Sequence, residues 1–486
     1  MNGYGGTILR VNLTEGRITR ERTPDAVARD FLGGRGFGAH FLFQEVPKGA
    51  DPLGPENTLI ISSGPFAGML IPGGGKCDFT CKSPLTGGYA SASLGGLFTA
   101  EIKYAGLDSI ILEGSSPRPV LLFIDGDRAE LRDASSLWGK GTITVERALK
   151  EEFGEEFQIA SIGPGGENLV SFASINHDWG RQAGRGGVGA VMGAKRLKAI
   201  AIHGTRSVPV ADVEAYRAAG LALFKACKDA PGLKPWQSYG TTIVTSWCDE
   251  VGALPTRNFR AGSFEGAAGL YGPVMREKIV ITDKGCFSCP SPCGKYSRMR
   301  RFGTYVEGPE YETIGLIGSN LGISDIEVVA QANLLCDELG IDTISTGNAI
   351  GWAIECFERG ILTLADTDGL ELRFGDSRAV LSSSAPNRER MWVGINVYSY
   401  SGLFSAAAGA RMYTYRPSAT FTCPPWTPNS AAWRTGASRA TISRRDAPCI
   451  STGRGSPKYS SSVAGRSIIC TRLCRRSPPA GALRGS

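Results

Sequence analysis

Residues 183–193 read AGRGGVGAVMG and are followed at 195–198 by the basic run KRLK. Five glycines in this stretch let the backbone approach a ligand closely, and the small apolar residues that follow them predict a short helix. Backbone N–H groups at the start of that helix, together with the Arg185 side chain, are suited to bind an anion. The stretch therefore predicts a loop that holds phosphate or a flat cofactor, and PGGGK at 72–76 predicts a second one.

The loop at 183–193 also matches the dinucleotide-binding pattern G-x-G-x-x-G at Gly184, Gly186 and Gly189. That fingerprint requires a strand before the loop and a helix after it. Residues 176–182, NHDWGRQ, predict no strand, so a nicotinamide-dependent dehydrogenase is disfavoured. A set of tight turns in a β-rich domain is the other interpretation. Neither glycine-rich segment is a Walker A loop, because no Gly-Lys-Ser/Thr is present.

A second chemically informative stretch is CFSCPSPCG at 286–294, in which Cys286, Cys289 and Cys293 have the spacing C-x2-C-x3-C. Prolines and flanking glycines keep this stretch open, and three thiolates so close in sequence suit one soft metal centre. A 4Fe-4S cluster needs one further ligand, whereas zinc commonly takes a remote pair of Cys or His. The spacing favours the cluster and leaves zinc open. Radical enzymes that cleave S-adenosylmethionine have these two spacings in the opposite order, C-x3-C-x2-C, which counts against that class of enzyme.

The residues around these stretches predict an α+β fold with a strand-rich first domain, 1–206, and a mainly helical second domain, 207–380. The first 204 residues contain 35 glycines between short apolar runs. A β-hairpin is predicted at 7–20. Further strands are predicted at 58–61, 109–112, 120–124 and 199–202.

Helices are predicted from 212 to 228, from Ser324 or Asp325 to about Leu339, and from Asp342 or Thr343 to a residue before Gly360. In the first of them, a helical face is shared by Val213, Tyr216, Leu223, Phe224 and Cys227, with Gly220 as the intervening position. Gly340 suits the left-handed position between the last two helices.

The chain has 486 residues, of which 42% are apolar, so it is long enough for two to four domains with real cores. It contains no apolar run long enough to span a bilayer, and its start, MNGYGG, lacks the features of a signal peptide. These features predict a cytoplasmic protein without a membrane partner.

The net charge of +7 belongs entirely to residues 381–486, which carry 15 Lys and Arg against 2 Asp and Glu. Residues 1–380 carry 38 against 44. A nucleic-acid-binding extension would mix lysine with arginine, but the tail has 14 Arg and a single Lys. A disordered tail would contain fewer Trp, Cys and Tyr. The composition favours a third interpretation, a coding-frame slip near Leu381 that leaves an irregular tail, and predicts no nucleic-acid partner.

Across about residues 3–380 the chain resembles the tungsten-containing aldehyde ferredoxin oxidoreductases. The likeness rests on the joint order of several motifs: GGRG at 33–36, KSPLTG at 82–87, AGRGG at 183–187, the three-cysteine stretch, GPEYE at 308–312 and DELGIDT at 337–343. The resemblance implies tungsten or molybdenum chelated by two pterins, with magnesium bridging their phosphates, and a nearby 4Fe-4S cluster. It implies oxidation of a small aldehyde with water to a carboxylate, with ferredoxin as electron acceptor, and it allows a homodimer.

The resemblance also implies roles for individual positions. Lys76 stands where the family has a basic residue near the pterin phosphates, and Ser93 departs from the familiar Asn. Glu312 resembles the acidic residue beside the metal, where burial would raise its pKa and suit it to relay a proton. The remaining implied pterin contacts are Gly95, Ala183, Gly184, Gly186, Gly187, Asp337, Ile341 and Asp342, and Cys286, Cys289 and Cys293 would hold the cluster.

Other family features are missing. The fourth cluster cysteine follows a second Asp-x-x-Gly-x-Cys motif, and a histidine near the metal also comes from the C-terminal third; neither occurs beyond residue 381. Residues 327–330, EVVA, lack the histidine of the Glu-x-x-His metal site that some relatives carry. The alternative function is therefore a non-catalytic remnant that binds zinc or a cluster and is inactive because its C-terminal domain is missing.

The frame-slip interpretation makes a direct prediction. Resequencing the gene across codons 375–390 should reveal a frame change, and restoring the frame by one nucleotide should encode an Asp-x-x-Gly-x-Cys motif downstream. An intact frame at these codons would contradict the interpretation.

Overall fold

The computed structural model describes residues 1–367 and 369–381, which all fall within one compact unit. The first sheet is mixed, has the strand order β2-β1-β6-β3-β4-β5, and pairs β1 with β6 in parallel. The apolar strand β3 is buried along its whole length, as expected of a strand covered on both faces. The strands are β1 (Thr7–Asn12), β2 (Arg17–Arg22), β3 (Leu59–Ser63), β4 (Cys77–Lys82), β5 (Tyr89–Leu94) and β6 (Leu107–Glu113).

The second sheet has the order β11-β10-β9-β12-β7-β8, and β12 is parallel to β7. A third, antiparallel sheet has the order β13-β14-β15. The strands of the second sheet are β7 (Val120–Asp125), β8 (Arg128–Asp133), β9 (Gln158–Ser161), β10 (Ile175–His177), β11 (Arg181–Ala183) and β12 (Leu197–His203). Those of the third are β13 (Val280–Lys284), β14 (Gly294–Met299) and β15 (Thr304–Glu307).

Helices pack on an outer face of each large sheet, contribute to the core between the two sheets, and recur through the chain after residue 212. They are α1 (Asp25–Phe31), α2 (Arg35–Glu45), α3 (Phe98–Tyr104), α4 (Thr142–Phe153), α5 (Pro164–Glu167), α6 (Val188–Ala194), α7 (Val213–Asp229), α8 (Leu233–Tyr239), α9 (Val244–Glu250), α10 (Gly272–Lys278), α11 (Tyr311–Thr313), α12 (Ile326–Leu339) and α13 (Thr343–Glu358). A π-helical turn, Ile314–Gly318, follows α11. Short 3-10 turns lie at Ser135–Leu137, Gly240–Ile243, Ala267–Leu270, Ser319–Leu321 and Ser377–Ala379.

Strand alternation divides the apolar residues among separate cores. In β1, Leu9 and Val11 enter the core between the two large sheets, whereas Ile8 packs with α1 and α2 on the other face. Helix α4 covers the outer face of the second sheet. A fourth core unites the helices after residue 244 with Val170 and Phe172 from the first part. The α+β class, strand-rich first and helical afterwards, is confirmed; the boundary at residue 206 stays a prediction.

The predicted helix ends agree with the structure. Asp325 and Asp342 cap α12 and α13 by accepting backbone N–H bonds, and Asp212 caps α7. Gly340 adopts φ 66° between α12 and α13. The hairpin and the four further predicted strands correspond to β1, β2, β3, β6, β7 and β12.

One expectation was wrong and another was correct only in part. Residues 176–182 do contain strand, because β10 and β11 form an antiparallel hairpin with Asn176 opposite Gln182. On the predicted face of α7, Gly220 is buried and Tyr216, Phe224 and Cys227 are partly buried, whereas Val213 and Leu223 are 63% and 48% exposed. The interpretation of the tail concerns residues that, apart from Leu381, lie outside the described part of the chain.

Within the described ranges, no single helix has the length and apolar character needed to cross a membrane; one pair, Tyr311–Leu321 with Ile326–Leu339, meets the criterion jointly but is bent by 117°.

His177 joins the second sheet to the start of α3. Its Nδ1–H donates to the Ile159 carbonyl at 2.9 Å, and Nε2 accepts from the N–H groups of Leu97 and Phe98, each at 3.1 Å. This arrangement requires the neutral imidazole, and burial lowers the pKa of His177 to about 4.

Because the folded pKa of His177 is depressed, the unfolded chain takes up a proton first as pH falls. Its contribution to stability is complete above about pH 6.5 and is lost between about pH 6.5 and pH 4, amounting to roughly 3 kcal/mol. Urea unfolding at several pH values should therefore show a shallower pH dependence in the His177→Gln variant than in the wild type. Equal slopes in the two proteins would contradict this assignment.

Candidate functional site

One cavity of about 520 Å³ lies where the strand-rich and helical parts meet. Its walls come from the β4–β5 hairpin, the glycine loop before α6, the cysteine loop and the N-terminal ends of α11 and α13. The sequence-predicted site residues that line it are Lys76, Ser93, Gly95, Gly184, Arg185, Cys293, Glu312 and Asp342.

The other predicted residues lie behind this lining. Ala183 is buried in β11, and Ile341 is buried and forms an isolated bridge with Ala173. Gly186 and Gly187 adopt φ values of 83° and 77° and shape the turn into α6. The remaining predicted residues outside the lining are Asp337, Cys286 and Cys289.

The glycine loop has little room for side chains. A Cβ at Gly187 would overlap the Ser171 carbonyl oxygen, and one at Gly186 would lie 2.8 Å from the Ala90 side chain. Ser83 fixes the loop by donating its hydroxyl hydrogen to the Gly186 carbonyl at 2.8 Å. At Gly184, the nearest atom to an added Cβ is 3.6 Å away, so this position is open toward the cavity.

Strand, loop and helix do follow in the order β11, loop, α6, but this is not a dinucleotide-binding unit. Strand β12, which follows α6, is separated from β11 by β10 and β9. Successive antiparallel pairings make β12 antiparallel to β11, whereas the dinucleotide fold requires a parallel crossover. The glycine-rich loop therefore does not belong to a dinucleotide-binding βαβ unit.

Asp342 connects this loop to the helical part. Its carboxylate accepts N–H bonds from Ile344 and Ser345, each at 3.1 Å, and forms an ion pair with Arg185. Arg185 is half exposed and lines the cavity, so Asp342 directs the guanidinium group there. Asp342 therefore both caps α13 and lines the cavity, the two positions predicted for it from the sequence.

Asp337 is fully buried beneath the cavity wall. Its carboxyl group accepts hydrogen bonds from Gln182 and from Asn333, the latter at 2.8 Å, and both of these amides line the cavity. Burial, reinforced by nearby Glu307, raises the pKa of Asp337 well above its usual value. Asp337 can therefore act on a ligand only through Gln182 and Asn333, which the sequence analysis did not identify.

The cysteine loop is the connection between β13 and β14, closed by the pairing of Lys284 with Gly294. It packs against the first part of the chain: Phe287 N–H donates to the Gly96 carbonyl at 3.0 Å. Cys286 lies so near the β5 end that a Cβ at Gly95 would be 2.8 Å from its Sγ. All three thiols are free and partly buried.

Among residues 1–367 and 369–381, no three Cys, His, Asp or Glu side chains converge closely enough to hold a single metal ion. This finding does not decide between zinc and a 4Fe-4S cluster at Cys286, Cys289 and Cys293, because either group would take a further ligand from elsewhere in the chain.

A buried ionic network supports the cysteine loop. Glu307 pairs with Arg181 at 2.7 Å and with Lys284 at 3.0 Å, and Lys284 also pairs with Asp178 at 3.0 Å. Burial lowers the pKa of Lys284, but the Glu307 and Asp178 carboxylates outweigh this effect and raise it overall. Arg181 and Glu307 also line the cavity, and neither was predicted from the sequence.

The acidic wall of the cavity differs from the expectation. Glu312 lines the cavity but is exposed, so the predicted buried carboxylate at this position is wrong for this structure. Glu310, to which the sequence analysis assigned no role, is partly buried and receives a hydrogen bond from Thr241. Burial and nearby Glu312 raise the pKa of Glu310, although Thr241 and Arg181 oppose the shift. Glu310 belongs to the GPEYE motif at 308–312, so the motif did indicate the segment in which it lies.

Fold and cavity together define a protein that places a glycine-rich loop, with Arg185 facing the cavity, beside a loop of free thiols. Residues 8–204 match the family model of the aldehyde ferredoxin oxidoreductase N-terminal domain, and residues 219–384 match that of domains 2 and 3. The chain belongs to the aldehyde ferredoxin oxidoreductase family.

Individual relatives agree with this assignment. The tungsten-containing aldehyde ferredoxin oxidoreductase of Thermococcus kodakarensis is 45% identical over 367 residues, 75% of this chain and 60% of the relative. That of Pyrococcus abyssi is 45% identical over 388 residues, covering 78% and 63%. The active-site complex BamBC of benzoyl coenzyme A reductase with 1,5-dienoyl-CoA superimposes with a TM-score of 0.72 at 28% identity, covering 84% of this chain and 64% of that one. The chain thus spans about 60% of the length of these curated relatives.

The contact between Gly95 and Cys286 generates a prediction. In Gly95→Ala, the new methyl group would press on the Cys286 Sγ and displace the cysteine loop, so alkylation of Cys286 by iodoacetamide should become at least severalfold faster. Peptide mass spectrometry of the labelled full chain measures this rate. Gly88→Ala, in the same hairpin with no atom closer than 3.7 Å, is the matched control and should label like the wild type. Equal rates in all three proteins would contradict the predicted displacement.

Proposed function

We propose that this chain is the cofactor-binding part of an oxidoreductase that oxidises an aldehyde to a carboxylate. In the overall reaction, the aldehyde and one water yield the carboxylic acid, two protons and two electrons. A 4Fe-4S cluster held by Cys286, Cys289 and Cys293 would supply one-electron transfer, and ferredoxin would be the acceptor. The observation that carries the proposal is that one cavity unites the glycine loop, the cysteine loop and the acidic pair Glu310 and Glu312.

The cavity suits a cofactor with two phosphate groups. Four cationic side chains line it: Arg35, Lys76, Arg181 and Arg185. Three of them have carboxylate partners, whereas no carboxylate of the described chain lies within 4 Å of the Lys76 amine. Lys76 would therefore receive phosphate, and magnesium would add further positive charge for the phosphate groups. Ser93, Gly95, Gly184 and Asp342 would border the pterin rings.

When bound, a tungsten or molybdenum bis-pterin centre would supply two-electron oxidation chemistry, and the cluster would supply one-electron transfer. The chain's own residues would orient and protect these groups. Arg185 is directed into the cavity by Asp342, and Arg181 lies between the cysteine loop and the cavity. Glu310, whose pKa is raised by burial, can hold a proton at its carboxyl group, and the more exposed Glu312 lines the same cavity.

Location and partners complete the proposal. The free thiols suit the reducing cytoplasm, where cysteines remain reduced. Ferredoxin is the proposed acceptor and a small aldehyde the proposed substrate, because the relatives are named as aldehyde ferredoxin oxidoreductases. A homodimer is also proposed, on the family resemblance alone.

Metal and pterin analysis of anaerobically purified protein tests the proposal. Tungsten or molybdenum with about four irons per chain, together with pterin fluorescence after oxidation, is the expected result. Cys286→Ser and Cys293→Ser should lose most of the iron, whereas Cys227→Ser, on α7 and outside the cysteine loop, should retain it. Zinc without iron would favour the non-catalytic remnant, and bound nicotinamide nucleotide would favour a dehydrogenase. Absence of both iron and pterin would refute the proposal.

A further inference from the structure

The turn Gly240–Ile243 lies directly against the cysteine loop. Gly240 adopts φ 60°, and a Cβ at this position would overlap the Cys293 carbonyl oxygen. No side chain can be accommodated there without moving one of the two segments. The position of the next residue, Thr241, is therefore fixed relative to Cys293.

Thr241 also contacts the start of α11. Its hydroxyl accepts the Tyr311 N–H at 2.9 Å and donates to the Glu310 carboxylate. Glu310 is the N-cap residue of α11, yet its own side chain makes no capping hydrogen bond. The hydroxyl of Thr241 thus satisfies a helix-start N–H that would otherwise lack a partner, and it does so from a different segment of the chain.

We propose that Thr241 is a positioning residue for the acidic wall of the cavity. By binding Tyr311 N–H and Glu310 through one hydroxyl, it fixes the Glu310 carboxyl group and orients the turn that carries Glu312. Because Gly240 packs on Cys293, the same segment sets the distance between the cysteine loop and that wall. The catalytic consequence rests on the proposed function, but the structural link does not.

The hydrogen-bonding capacity of the threonine, rather than its shape, carries this role. Valine has the same branching but leaves both Tyr311 N–H and Glu310 without their partner. Serine retains the hydroxyl and loses only a methyl group. Thr242, the next residue, donates its hydroxyl to the Tyr239 carbonyl at 2.6 Å, so its hydroxyl does not serve the Tyr311 N–H or Glu310. A valine there is therefore a matched control for damage to the turn itself.

Hydrogen–deuterium exchange of the full chain provides the first readout and needs no cofactor. In Thr241→Val, the Tyr311 amide should exchange about fivefold faster, as expected for loss of one hydrogen bond. Thr241→Ser and Thr242→Val should match the wild type at this amide. Unchanged exchange in Thr241→Val would overturn the proposal.

The second readout is steady-state aldehyde oxidation by metal-loaded protein. Thr241→Val should lower kcat about tenfold with little change in KM, because misplacement of a proton-holding group affects the chemical step. Thr241→Ser should restore kcat. Altered exchange combined with unchanged kcat would overturn the positioning role. Loaded wild type without activity would refute the proposed function, and the exchange result would then decide on Thr241 by itself.

Discussion

The Glu307 carboxylate is the interaction on which the site depends. It lies between the Arg181 guanidinium and the Lys284 amine, and its side chain is only 4% exposed. Removing one partner from such a buried pair typically costs about 3–5 kcal/mol, because the remaining charge is left without compensation. The three residues belong to β15, β11 and β13, so one carboxylate fixes the glycine loop, the cysteine loop and the strand that leads to Glu310 relative to each other.

Glycine packing makes this arrangement possible. The cysteine loop can approach the β4–β5 hairpin because Gly75 and Gly95 present no side chains to Phe287 and Cys286. On the opposite side, Gly240 admits the Cys293 carbonyl in the same way. The unusual glycine content noted in the sequence thus has a spatial explanation, since several of these glycines lie where two segments meet around the thiols.

Local features of the fold were predictable, because the signals are contained in short stretches. Asp325, Gly340 and Asp342 determine the ends of α12 and α13 through contacts within four residues. Contacts between distant residues could not be predicted in this way: Arg181 and Glu307 are far apart in sequence, and Glu310 is partly buried through Thr241 from a separate segment. The hairpin of β10 and β11 was missed because three-residue strands carry too little periodicity to be recognised.

The amino-acid composition changes within a few residues of the point where the match to the family model ends. Acidic residues become rare after residue 380, and the match to the family model ends at residue 384. A change of reading frame would produce both boundaries at once, as would an unrelated basic extension joined there, so the frame slip stays a prediction. The cavity residues discussed above all precede this point, so the ionic network around Glu307, the glycine loop and the cysteine loop belong to the part of the chain whose sequence follows the family. The cavity-lining residues named above are therefore unaffected by the origin of the tail, whereas the fourth cluster ligand and the histidine that the family resemblance implies belong to the part that the tail replaces.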